Sequence, residues 1–116
     1  KNDSTQMVRM DYLGRGCWTI CTFKTDTIDL CMEVQYVRTD AGAPISQYKN
    51  LNGNNQKWII MPVGNGLSRI MSKDTGLYLD TKKDDETGKV TLVQNPYTGA
   101  KSQQWKIEQR GGESDL

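Results

Sequence analysis

The chain has 116 residues, 35% of them hydrophobic before glycine is counted and 25% charged, and its 15 basic and 14 acidic side chains leave a net charge of +1. That length suits one domain, which at this size buries roughly two-thirds of the surface of the unfolded chain, and the ordinary composition excludes a disordered or fibrous protein. A near-neutral balance without a Lys/Arg cluster argues against nucleic acid as a partner, and the longest apolar run, Trp58-Ile59-Ile60-Met61, falls far short of the ~20 residues of a membrane span.

In chain order, Asn2-Asp3-Ser4 satisfies the N-glycosylation pattern, a match short enough to arise by chance. Thr5-Gln6-Met7-Val8-Arg9-Met10 is followed by the alternating run Trp18-Thr19-Ile20-Cys21-Thr22-Phe23, then Leu30-Cys31-Met32-Glu33-Val34 and, beyond a polar stretch with Gly42, Pro44-Ile45-Ser46-Gln47-Tyr48. Asn52-Gly53 is turn chemistry, as is Asp74-Thr75-Gly76 after the run at Trp58. Leu77-Tyr78-Leu79-Asp80-Thr81, a polar stretch with Gly88, and Val90-Thr91-Leu92-Val93-Gln94 complete a second series. These runs are short and punctuated by Gly, Asn, Asp and Pro, so an all-β fold is predicted. No apolar stripe at helical spacing lasts three turns, which limits helices to single turns. Gly111-Gly112 predicts a frayed tail over 111–116.

The series repeats. Asn55-Gln56-Lys57-Trp58-Ile59-Ile60 and Ser102-Gln103-Gln104-Trp105-Lys106-Ile107 share Gln-x-Trp-x-Ile with their glutamines 47 residues apart, and each closes a similar segment. Residues 5–10 align with the first of these motifs, putting Val8 where a tryptophan would stand. The chain therefore reads as the closing strand of one repeat (within 1–15) and two complete repeats, at 16–62 and 63–110.

Catalytic chemistry finds little footing. The chain has no histidine, which removes the commonest general base and metal ligand and every Ser-His or Cys-His pair. Asp84-Asp85-Glu86 is the one dense acidic run, and in a Lys-flanked turn it is read as solvated rather than metal-bound. Cys17, Cys21 and Cys31 leave at least one thiol unpaired within a monomer and are read as buried thiols with room for one bridge. No enzyme, cofactor or metal site is expected.

The paired Gln-x-Trp segments resemble those of the ricin B-type lectins, and the resemblance covers nearly the whole chain. It implies a three-lobed β-trefoil that binds carbohydrate. Leu30 to Val34 looks like the family's Leu-Cys-x-Asp-Val strand, and Gly42 to Tyr48 like the approach to its aromatic platform. In such a site a carboxylate accepts sugar hydroxyls while an aromatic face covers the apolar side of the ring. The resemblance maps the carboxylate onto Glu33, the platform onto Tyr48 and the orienting amides onto Asn55 and Gln56. Glu33 departs from the usual Asp by one methylene. In the second repeat it maps the carboxylate onto Asp80 and the amide onto Gln103, with Ser102 replacing the amide before the motif and Val93 at the platform, so that an aromatic face would have to come from Tyr97. Trp58 and Trp105 are implied as core residues. Cys31 stands where many members carry a disulfide cysteine, but Lys49-Asn50-Leu51 offers no partner.

The implied partner is a glycan of galactose or N-acetylgalactosamine type, and the implied setting is secreted or extracellular, with the chain free-standing or the targeting part of a toxin, hydrolase or adhesion assembly. A closed trefoil needs three lobes, so open strand edges are expected to be covered by a second chain from a processed precursor or by a homodimer. The alternative is a trefoil that binds protein and has lost its sugar sites.

Overall fold

The computed structural model describes residues 7–110 and 113–115, so the sequon at Asn2 and the motif residue Gln6 lie outside the described residues. Eleven strands form one sheet system: β1 Met7–Gly14, β2 Cys17–Lys24, β3 Asp29–Val34, β4 Ile45–Lys49, β5 Trp58–Gly64, β6 Leu67–Ser72, β7 Tyr78–Lys83, β8 Val90–Asn95, β9 Trp105–Lys106, β10 Glu108–Arg110 and β11 Glu113–Asp115. Among the described residues, helical structure is confined to 3-10 turns at Gln35–Val37, Asn54–Gln56 and Lys101–Gln103, and no helix is long and apolar enough to cross a membrane.

The pairing order β1-β2-β5-β6 continues from β6 to β9, and only Ile107 separates β9 from β10, which pairs β11. β11 returns to β1, with Met7 opposite Asp115 and Val8 opposite Ser114. The sheet thereby nearly closes into a ring, and the edge of β1 is covered. Two hairpins, β3–β4 and β7–β8, stand off this ring through β2 and β6. Residues 113–115 form a strand where a frayed tail was expected, and N–H and C=O groups on β1 find partners in it.

The same register recurs. Tyr12 faces Trp18 and Gly14 faces Cys17 across β1–β2, as Pro62 faces Ser68 and Gly64 faces Leu67 across β5–β6, each position displaced by 50 residues. Both turns place three consecutive residues at positive φ, Gly14-Arg15-Gly16 and Gly64-Asn65-Gly66. β1 is therefore equivalent in register to β5, and Val8 takes the place that Trp58 has in β5.

Strand alternation builds the core. In β6, Ser68, Ile70 and Ser72 are buried while their neighbours are half-buried. The core joins Val8, Ile20, Met32, Val34, Ala43, Trp58, Ile70 and Leu79, with Trp105 and Ile107 packed partly against it. The two tryptophans are tied alike, Trp58 Nε1 donating to the Met32 carbonyl and Trp105 Nε1 to that of Leu79, each at 3.1 Å. Cys17, Cys21 and Cys31 are buried thiols, and none forms a disulfide.

Candidate functional site

β3 and β4 pair so that Met32 and Val34 enter the core, while Glu33, opposite Ser46, shares the other face with Tyr48, opposite Cys31. The 3-10 turn before Trp58 then brings Asn55 and Gln56 under this face. Gln56 ties the turn to the hairpin: its Nε2 donates to the Lys49 carbonyl at 2.8 Å, and its Oε1 accepts from Leu51 N at 2.9 Å. Asn55 Nδ2 donates to the Val34 carbonyl at 3.1 Å.

Both amides also reach Glu33, Gln56 Nε2 at 3.2 Å and Asn55 Nδ2 at 3.5 Å, and both reach the same oxygen, Oε1. Among the described residues no hydrogen bond is made to Oε2. Burial pushes the Glu33 carboxyl above its ordinary pKa, and the bonds from Gln56 and Asn55 oppose that rise. Glu33, Tyr48, Asn55 and Gln56 line one cleft of about 410 Å³. Sequence reasoning missed the rest of its wall: Gln35, Tyr36, Val37, Ser46, Gln47 and Leu51. The signal was an aromatic, Tyr36, three residues beyond Glu33 in a stretch read only as polar.

The second hairpin is built on the same plan but closed. Asp80 Oδ1 accepts from Thr81 N at 2.7 Å, and Oδ2 accepts from Asn95 Nδ2 and Gln103 Nε2, each at 3.1 Å. Burial pulls this carboxyl upward, but the bonds from Ser102, Asn95, Thr81 and Gln103 outweigh it and hold its pKa below the ordinary value. The strand register corrects the platform position. Tyr48 faces the residue two before Glu33, and the residue facing Tyr78, two before Asp80, is Asn95 rather than Val93. The side chain in place of the aromatic thus donates to Oδ2, the oxygen that Gln103 also holds. Val93 is buried. Tyr97 packs at 5.8 Å against Tyr78, with the Arg69 guanidinium 4.7 Å over its ring. Gln103 repeats the role of Gln56, bonding the Pro96 carbonyl and Thr98 N.

Among the described residues no group of three His, Cys, Asp or Glu could hold a metal ion. In the acidic run, Asp84 Oδ1 accepts from Glu86 N and Thr87 N and closes the turn.

Residues 3–91 and 54–115 each match the profile of the ricin-type β-trefoil lectin domain-like family. The chain belongs to this family. Among solved structures, the designed three-fold symmetric protein ThreeFoil is similar at 25% identity and TM-score 0.75, over 85% of this chain and 69% of that one. An exo-β-1,3-galactanase from Clostridium thermocellum matches at 26% identity and TM-score 0.74, over 85% of this chain. The lectin of Polyporus squamosus, bound to Neu5Acα2-6Galβ1-4GlcNAc, matches at 25% identity and TM-score 0.68, also over 85% of this chain. The chain spans 21% of the galactanase and 34% of that lectin. No curated protein matches it. Family and lectin neighbour together support a ricin-type module that binds carbohydrate.

Proposed function

We propose that the chain is a non-catalytic lectin module, secreted or extracellular, that binds galactose-type glycans, including N-acetylgalactosamine, in the Glu33 cleft. One observation carries the reading: a buried carboxylate, held through Oε1 by two amides, lines the same cleft as an exposed tyrosine ring. In this reading Glu33 Oε2 accepts sugar hydroxyls, Tyr48 covers the apolar face of the pyranose, and Asn55 and Gln56 orient the carboxylate. The galactose preference is supported by two relatives, one acting on a galactan and one bound to a galactose-containing trisaccharide. Absence of histidine supports the non-catalytic assignment. Repeats at 16–62 and 63–110 are the proposed units. β11 pairs the edge of β1 within the chain, and the lobe that two repeats leave unfilled is where a second chain or a homodimer is proposed to contribute. The proposed ligand is the glycan.

A glycan array followed by NMR titration with galactose and N-acetylgalactosamine tests this. Saturable shifts at Tyr48 in the micromolar to millimolar range are expected, because one ring and a few hydrogen bonds bury little area. Tyr48→Ala should remove them without unfolding the chain, since Tyr48 is exposed. Silence towards every glycan would overturn the assignment in favour of a protein-binding trefoil.

A further inference from the structure

The cleft extends beyond the four residues that the motif maps onto it. Tyr36 and Val37 line it at 81% and 59% exposure, a concentration of apolar surface that water alone does not favour.

The backbone beneath them is unusual. Tyr36 and Val37 lie consecutively at φ of 58° and 53°, a conformation that a β-branched residue adopts only when its surroundings impose it, as happens at ligand clamps. The chain just beyond this turn is anchored to β8. Gln94 on β8, fully buried, donates through Nε2 to the carbonyls of Arg38 at 3.3 Å and Asp40 at 3.0 Å. Its backbone carbonyl accepts from Gly42 N at 2.7 Å, and its N–H donates to the Ala43 carbonyl at 3.0 Å. Thr75 Oγ1 fixes the Gln94 amide through Oε1 at 2.9 Å. An aromatic ring presented from so constrained a base loses little freedom when a ligand rests on it.

We propose that the cleft takes at least two linked sugars: a galactose-type unit at Glu33 and Tyr48, and the next ring against the Tyr36–Val37 turn. This rests on the lectin reading of the same cleft and adds a second subsite to it. Pyranose rings offer C–H faces to an aromatic, and such a contact corresponds to roughly 2- to 10-fold in affinity.

Calorimetric titration of the chain with galactose and with β1-3- and β1-4-linked galactosyl disaccharides tests it. At least one disaccharide should bind about 2- to 10-fold more tightly than galactose. Tyr36→Ala should erase that advantage and leave galactose affinity unchanged, while Tyr36→Phe, which keeps the ring, should retain it. Equal binding of all the sugars, or an equal loss for galactose and disaccharide in Tyr36→Ala, overturns the second subsite and leaves the lectin reading intact. Failure of every sugar to bind overturns both.

Discussion

Replacing Glu33 with Gln keeps the shape of the side chain and removes its charge. A hydroxyl bonded to a carboxylate contributes ~1.5–3 kcal/mol, against ~0.5–1.5 for a neutral acceptor. Glu33→Gln should therefore weaken galactose binding by roughly 1–1.5 kcal/mol, about 5- to 13-fold in Kd. Stability should hold or rise, because burial disfavours the ionised form of Glu33 and an amide oxygen still accepts from Asn55 and Gln56. The pH profile separates the effects further. Glu33 has a raised pKa, so wild-type affinity should fall as pH drops through a point above the usual carboxylate range, while the affinity of the Glu33→Gln variant stays flat there. For stability, the contribution of Glu33 is full below its unfolded pKa and fades as pH rises through its folded value. Asp80 has a depressed pKa and runs the other way: its contribution is present above the unfolded value and is lost as pH falls through the folded one. Acid should abolish binding before it unfolds the chain. Calorimetric titration with galactose across pH, paired with urea denaturation, measures both. A variant that binds as tightly as wild type with the same pH profile would refute the role of the carboxylate.

Trp58→Ala should lose ~3–5 kcal/mol in urea denaturation, since a fully buried indole and its bond to Met32 disappear together, and more than Trp105→Ala, whose ring is only half-buried. Asp80→Ala leaves the Asn95 and Gln103 amides and Thr81 N–H without their acceptor and should cost about 1–3 kcal/mol of stability, with galactose affinity unchanged by titration. In Gly53→Ala the new Cβ would lie 2.8 Å from Asn55 Oδ1. Displacing that amide from Glu33 should raise the Kd for galactose while the urea midpoint moves less than in Asp80→Ala.

The core was legible because two Gln-x-Trp motifs at one period can be satisfied together only by equivalent strands. Trp58 and Trp105 indeed make the same indole bond to strands 26 residues earlier, and Val8 fills the same place in β1. The contrast between the hairpins was not legible. Glu33 departs from the usual Asp yet lines the open cleft, whereas Asp80 has the familiar identity and is closed over by Asn95. Residue type fixes which bonds a carboxylate can make; only the register shows which neighbour makes them. The Tyr36–Val37 turn escaped because neither residue favours positive φ. β11 escaped because a three-residue polar strand has no periodicity to read, and its partner is distant in sequence.

That distant pairing of β11 with β1 has a kinetic consequence. Bringing Met7 against Asp115 closes a loop of more than a hundred residues, with a length-dependent entropy of roughly 4 kcal/mol, against about 1 kcal/mol for the few residues of the β5–β6 turn. The seam should form last in folding and open first in the native state, and amides there should exchange with solvent ahead of those in β5 and β6. The Glu33 cleft is assembled from residues 33–56, all within one repeat. A molecule whose ring has parted at the seam therefore still carries its ligand-binding hairpin, so transient opening of the barrel and occupancy of the cleft are nearly independent events.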